Sequence, residues 1–381
     1  MPEQIQKGLE DVVVAESTRS YIDGTAGELV YSGYTIEDLA TEASFEEVLY
    51  LLWHGSLPNE AELAEFEESM ATKRALDDAV LDLMESLAAA DADPMAALRT
   101  GVSMLSSFSS ADADRPTESP ESTLAVGREL TAKLPTLLGA FARFRRGVDP
   151  IAPRRDLSHA ANFLYMLNGE EPDPVLAETF DMALILHMDH GLNASTFAGM
   201  VTASTLSDPV SAITSAIGTL SGPLHGGANQ NVMQMLEEID ESDLEAVPWV
   251  VDALDEDRRI PGFGHRVYDV KDPRARILGE KSADLGAVAG EQKWYRMSSA
   301  IEEYMATEHG IAPNVDFYSA STYYQMGIPV DLYTPIFAMS RIGGWVAHVL
   351  EQYDDNRLIR PRARYVGRET SETSFVPLEE R

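Results

Sequence analysis

The chain contains no cysteine. Disulfides, thiolate metal sites and a cysteine nucleophile are therefore excluded. Positive charge is also scarce: 29 Lys and Arg face 63 Asp and Glu, only six of the cations are Lys, and the formal net charge is −34. No basic stripe exists to neutralise phosphates, so nucleic acid is not expected as a partner. A run of eighteen or more apolar residues is lacking, which argues against a membrane-spanning helix. The first residues, MPEQIQKGLEDVVVAE, lack the basic-then-apolar order of a secretory signal. A soluble, cytoplasmic protein is the expectation. Self-repulsion at −34 should destabilise a compact chain in dilute buffer. At about 1 M salt the Debye length falls to roughly 3 Å and most of that repulsion is screened. The imbalance thus points to a salt-rich cytoplasm, with an ordinary acidic protein as the plainer alternative.

What is present is mostly helical pattern. With 381 residues, 44% of them apolar, the chain can bury a large core and is long enough for two or more domains. Phe45, Val48, Leu49, Leu52 and Trp53 follow the spacing of one helix face. Leu76, Ala79, Val80, Leu83, Met84 and Leu87 repeat it, as do Leu134, Leu137, Leu138 and Phe141. So do Val232, Met235, Leu236 and Ile239, and later Ile342, Trp345, Val346 and Val349. FDMALILHM (180–188) is apolar almost all round and predicts a buried central helix. Strand signal is confined to YIDGTAGELVY (21–31), where Asp-Gly and Gly-Glu turn signals predict a small hairpin. The clearest loop is SSADADRPTESPES (109–122).

Three segments each bracket one titratable side chain with Gly or Pro: GPLHGGAN with His225, RIPGFGHRVYDVKDPR with His265, and APNVDFYSA with Asp316. Two imidazoles and one carboxylate on sharp turns make a set suited to acid/base chemistry near neutral pH. Aromatic walls at Phe317 and Tyr318 predict a raised proton affinity for Asp316, although an Asx turn capping the next helix would also place an Asp there. His225 precedes a helix N-terminus, which favours a neutral imidazole. His187 and His190 lie three apart in LHMDHGLN and could share one helix face, a weak metal motif and a better lining for a cleft. His54, His159, His309 and His348 read as capping, exposed or structural residues. Arg274, Arg341 and Arg360 sit beside Pro or Gly breaks and are candidates for binding carboxylates; pairing with nearby acids is the alternative.

Taken together, GPLHGGANQ, PGFGHRVY with DPR, and NVDFYSA resemble citrate synthases, and the resemblance runs from GLEDVVVAES and YSGYTIEDLA to RPRARYVGR. It implies an all-α fold with a large domain (1–221 and 323–381) and a smaller one (222–322) closing over the substrates. It also implies a homodimer. The catalytic trio would be His225, His265 and Asp316. His190, Arg274, Arg341 and Arg360 would hold oxaloacetate, with Arg360 completing the partner's site. Arg259, Ile260, Pro261, Gly262 and Phe263 would contact coenzyme A. No metal and no cofactor is implied beyond the thioester substrate. Many relatives carry Lys or Arg just before the NVD motif; EYMATEHGIAPNVD has only His309, so Arg258, Arg259 or Lys271 would meet the phosphates. The rivals are a 2-methylcitrate synthase using propionyl-CoA, a metal-dependent hydrolase built on His187, His190, His225 and Asp316, and a helical scaffold without catalysis.

Overall fold

The computed structural model describes residues 5–10, 12–107, 119–368 and 374–381. Residues 109–118 of the expected loop lie outside them. Among the described residues there are three strands and sixteen α-helices. The strands are β1 (Ser20–Asp23), β2 (Glu28–Tyr31) and β3 (Tyr34–Thr35). They form one antiparallel sheet in the order β1-β2-β3, with Ser20 opposite Tyr31 and Val30 opposite Thr35. The expected hairpin is therefore present and carries a third strand, short enough to leave little alternation to read. Between β1 and β2, the Asp23 carboxylate accepts from the N–H groups of Thr25 and Ala26 at 2.9 and 2.8 Å, and Gly27 adopts φ +72°. This is the Asx-turn chemistry that Asp-Gly signals.

The helices follow in chain order: α1 (Ile36–Glu42), α2 (Phe45–His54), α3 (Glu60–Ala71), α4 (Asp78–Ala89), α5 (Pro94–Leu105) and α6 (Pro120–Arg145). Next come α7 (His159–Asn168), α8 (Pro174–His187), α9 (Ala194–Ala203), α10 (Pro209–Leu220) and α11 (Ala228–Glu241). The last are α12 (Ala246–Asp255), α13 (Pro273–Ala289), α14 (Lys293–His309), α15 (Val315–Gln325) and α16 (Tyr333–Asp354). Their starts are written in the sequence. Ser44 and Glu47 form a capping box on α2. Helices α5, α6, α8, α10 and α13 each begin with an Asp or Ser cap followed by Pro at the first position. There the missing N–H of Pro costs nothing and its φ suits the helix.

The predicted apolar faces of α2 and α11 are buried as read. On α4 only Val80 and Met84 are fully buried, Ala79 is exposed, and Leu76 precedes the helix. α8 is the buried helix expected from FDMALILHM. Periodicity understated α6 and α16: both show one apolar stripe in sequence, yet α16 is buried nearly all round, including Arg341 and His348. Other helices enclose it on several sides: α16 packs on α2, α5, α6, α8, α9, α10 and α11. Helices α11 to α15 pack chiefly on one another, α13 against α15 most extensively, and meet the rest through α1, α8 and α16. One continuous apolar core runs through both groups.

Candidate active site

His225 sits on the turn from Gly222 to Gly227 between α10 and α11. The turn is tight because Gly226 N–H donates to the Leu220 carbonyl at 3.0 Å, and a Cβ at Gly226 would stand 2.4 Å from that same oxygen. The imidazole Nε2 accepts from the Ser195 backbone N–H at 3.2 Å, at the start of α9, and lies 2.8 Å from Ser195 Oγ. A backbone N–H can only donate, so Nε2 is the acceptor and the ring proton is on Nδ1. With Nε2 as the acceptor, the single Ser195 Oγ proton serves it, while Oγ accepts from Trp345 Nε1 at 3.1 Å and lies 2.7 Å from Asn193 Oδ1. Burial, assisted by Arg341, lowers the His225 pKa to about 4, so the imidazole is neutral.

His265 has the opposite tautomer. The N–H groups of Val267 and Tyr268 both donate to its Nδ1, at 3.0 and 3.1 Å, which leaves the proton on Nε2. Burial and then Arg274, opposed by Asp272, bring its pKa to about 4. The glycines at 262 and 264 adopt φ +80° and +79°. They also let the backbone run beside the turn that carries Asp316. Gly264 N–H donates to Ala312 O at 3.0 Å, Asn314 N–H to Gly262 O at 2.9 Å, and Asn314 Nδ2 to Gly264 O at 3.0 Å. Two of the three bracketed turns are thus joined directly.

Asp316 lies in the first turn of α15, but the cap of that helix is Asn314, whose Oδ1 accepts from the Asp316 N–H at 3.0 Å. The Asx-turn alternative therefore belongs to Asn314, and the Asp316 carboxylate is free of it. Asp316 Oδ1 is buried without a hydrogen-bond partner. Burial raises its pKa to about 7; Arg274 and Arg341 pull the other way, and Asp272 adds to the rise. An unpaired carboxylate at that proton affinity is suited to act as a general base near neutral pH.

The positive groups surround this trio. Arg274 is buried and its Nε–Nη2 edge is taken by Asp272, at 3.0 and 2.7 Å. Asp272 also caps α13 and accepts from the Val315 N–H at 3.2 Å, tying the starts of α13 and α15 together. Arg341 is buried on α16, donates from Nε to the His187 carbonyl at 2.7 Å and lies over the Phe337 ring. Its charge is felt by His190, His225 and Asp316 alike. His190 is buried, its ring edge-on to His265 with centroids 5.2 Å apart, and its Nε2 is 3.3 Å from Tyr268 Oη. Burial and the neighbouring Arg274 keep it neutral.

Of the residues singled out from sequence, His190, His225, His265, Arg274, Asp316 and Arg341 come together. Arg360 does not: it is exposed in the extended segment after α16, and among the described residues it makes no bond to the cluster. Ile260 is buried, Phe263 packs edge-on to Phe317 with centroids 4.6 Å apart, and Gly262 fits only because a Cβ would meet Phe317 and Val232 below 3 Å. Pro261 is half-buried between them. Arg258 pairs with Glu256 at 3.0 Å and Lys271 with Glu302 at 2.5 Å, whereas Arg259 is exposed and unpaired among the described residues.

His187 departs from the expectation. α8 ends at His187, so His187 and His190 do not share a helix face. His187 Nδ1 bonds back to the Ala183 carbonyl at 2.7 Å, and its ring packs among Phe337 and Tyr323. Among the described residues no group of three or more His, Asp or Glu is arranged to hold a metal ion. Sequence reasoning missed Ser195, Tyr268 and Asp272. Only Asp272 had a local signal, the Asp-Pro start of a helix.

This geometry can be set beside known proteins. A sequence profile described as "Citrate synthase, C-terminal domain" matches residues 8–362. The chain belongs to the citrate synthase family. It is 65% identical over 382 residues to the citrate synthase of Haloferax volcanii, covering all of both chains. It is 51% identical to citrate synthase 2 of Bacillus subtilis over 98% of this chain and 99% of that one. A 2-methylcitrate synthase of Corynebacterium glutamicum is more distant, at 41%. Among solved structures, the citrate synthase of Pyrobaculum aerophilum superposes with a TM-score of 0.89 at 42% identity, covering 98% of this chain and 95% of that one. The ternary complex of carboxymethyl coenzyme A and oxaloacetate with the citrate synthase of Thermoplasma acidophilum gives 0.92 at 34% identity over all of both chains. The mostly helical architecture described above is the citrate synthase fold.

Proposed function

We propose that this citrate synthase family member condenses the methyl group of acetyl-CoA with the carbonyl carbon of oxaloacetate, then hydrolyses citryl-CoA to citrate and coenzyme A. Asp316 removes a methyl proton as general base. His225 donates a hydrogen bond from Nδ1 to the thioester oxygen, so that the enol or enolate forms without an unbalanced charge. The carbon nucleophile attacks the oxaloacetate carbonyl, whose oxygen receives the Nε2 proton of His265. Water then cleaves the thioester. The observation that carries this reading is the half-buried Asp316 carboxyl, its Oδ1 enclosed without a partner and its pKa raised to about 7, in a site with two neutral histidines that present opposite ring nitrogens.

His190, Arg274, Arg341 and the partner subunit's copy of Arg360 would bind the two oxaloacetate carboxylates. Asp272 occupies one edge of Arg274, so recognition there falls to Nη1. The reading includes a homodimer in the cytoplasm of a salt-rich cell; the exposed Leu358, Tyr365 and Val366 around Arg360 support a surface awaiting a second chain, and the charge of −34 supports the salt. Residues 222–322 would close as a smaller domain on 1–221 and 323–381, because His225, His265 and Asp316 lie on the first and His190 and Arg341 on the second. Closure excludes water while the enolate lives. Arg258, Arg259 and Lys271 were the candidates for the coenzyme A phosphates, and exposed Arg259 is the best placed, beside Ile260 to Phe263. No metal or cofactor enters the scheme.

A thiol-release assay with oxaloacetate and acetyl-CoA in molar KCl tests it. Turnover with acetyl-CoA at a kcat/KM above that with propionyl-CoA is expected. The reverse order would assign the chain to 2-methylcitrate synthesis, since one methylene in an apolar pocket is worth only about 1–3 kcal/mol.

A further inference from the structure

His190 and His265 reach the site from segments without regular structure. Met188 to Gly191 follows the end of α8, and His265 to Lys271 precedes α13. A segment outside helix and sheet holds its shape only through partners for its individual polar groups. Many of those partners lie on the N-terminal sheet. Tyr31 Oη on β2 donates to the Asp189 carbonyl at 2.7 Å and accepts from the Asp189 N–H at 3.0 Å. Ser20 Oγ on β1 donates to Asp189 Oδ2 at 2.5 Å and accepts from the Gly191 N–H at 3.1 Å. His190 is thus clasped on both sides by bonds from one sheet.

The turn joining β1 and β2 presses on the other segment. The Asp269 N–H donates to the Gly24 carbonyl at 3.0 Å, and a Cβ at Gly24 would stand 1.9 Å from the Val267 carbonyl oxygen. Val267 is one of the two residues whose N–H holds His265 in its Nε2-protonated form. A Cβ at Gly27 would likewise stand 2.8 Å from Val270 Cγ2. The sheet is itself moored to α16: Ser17 Oγ, Thr18 N and Thr18 Oγ1 donate to Glu351 at 2.8 to 2.9 Å. On the far side of Asp189, His348 Nε2 binds the carboxylate at 3.1 Å.

We propose that the three-stranded N-terminal sheet is a positioning element for the oxaloacetate side of the site, with Tyr31 and Ser20 setting His190 and Gly24 setting His265. The proposal rests on the roles assigned above to those two histidines. Neither the strand residues Ser20 and Tyr31 nor Gly24 in the β1–β2 turn need touch substrate. Their effect is on the angle and reach of the imidazoles that do, and a misplacement of about 1 Å is worth up to roughly 100-fold in rate.

The test compares Y31F, S20A and G24A with wild type and with H190N, using purified full-length enzyme in molar KCl. The KM for oxaloacetate, the KM for acetyl-CoA at saturating oxaloacetate, kcat and the thermal midpoint are measured for each. G24A is expected to lower kcat/KM for oxaloacetate by roughly 100-fold, and Y31F and S20A by roughly 10-fold each, with the acetyl-CoA KM changed less than about twofold. Unchanged oxaloacetate parameters in both Y31F and G24A, alongside a large loss in H190N, would overturn the proposal. So would an equal fall for both substrates with a lowered midpoint, which marks a general loss of folded protein. Wild-type oxaloacetate KM in H190N would remove the reading of His190 on which the proposal stands. Y31F keeps the ring that fills the core, so it remains interpretable if G24A does not fold.

Discussion

Replacing Asp316 by Asn should make this protein more stable while stopping its chemistry. The unfolded carboxyl has its ordinary pKa of 3.8, and burial raises it to about 7 in the folded protein. Each tenfold step in proton affinity is worth about 1.4 kcal/mol, so ionising Asp316 in place costs the fold about 4 kcal/mol in full. The sign follows from the direction: a group whose folded pKa is raised favours the fold below its unfolded pKa and loses that advantage as pH rises through the folded value. For Asp316 the loss runs from 3.8 to about 7. Asn has no such titration. The stability gap between D316N and wild type should therefore widen by about 3 kcal/mol between about pH 5 and about pH 8.5, in favour of the variant. Taking the difference between two pH values removes whatever the amide itself gains or loses through its hydrogen bonds. The assay is urea unfolding at constant molar KCl and constant protein concentration, with thiol release measured in parallel. Turnover should fall by a factor of about 100 to 10,000, the usual contribution of a positioned base. A gap that does not change with pH, or one that widens in favour of wild type, would refute the reasoning.

His348 gives a second pH window of the same sign. Asp189 and Glu351 raise its pKa from 6.5 to about 9 against the effect of burial, so wild type should lose about 3 kcal/mol as pH rises from below 6.5 through 9. Unfolding of H348Q should show a flatter profile over that range, and an unaltered slope would count against the pair. Gly226→Ala should lower kcat by roughly 10- to 100-fold with little change in the oxaloacetate KM, because the new Cβ meets the Leu220 carbonyl and shifts the His225 turn; steady-state kinetics would show it. Finally, the thermal midpoint in millimolar salt should lie roughly 10 °C or more below that in molar KCl, as unscreened repulsion removes several kcal/mol; equal midpoints would return the chain to the plainer acidic reading.

Much of the site was legible because its backbone is unusual. His225 and His265 stand on Gly-rich turns and Asp316 directly follows the Asn314 cap of α15, and such residues announce themselves one at a time along the chain. The Asp-Pro helix starts and the apolar faces of α2 and α11 were legible for the same reason, each being a rule about neighbours in sequence. His187 and His190 show the limit of such rules. Three residues apart, they differ in fate because α8 stops between them, and Ala183 captures one while Tyr268 and His265 meet the other. α16 shows it again: its sequence carries one apolar stripe, and its burial on every side comes from helices far away in the chain.

By itself the sequence determined which residue types could do acid/base work, where the chain must bend to present them, and that the rest is helical, acidic and free of thiols. Those are properties of single residues and of spacings shorter than a helical turn or two. The protonation of each group was decided only by the tertiary structure. Asp316 is raised because the folded core shuts out water without supplying a partner for Oδ1. The His225 tautomer is set across the fold by the Ser195 N–H, whereas that of His265 is set within its own turn by the N–H groups of Val267 and Tyr268. Proton affinity depends on what surrounds a group in space, and for Asp316 and His225 those surroundings come from residues tens of positions or more away.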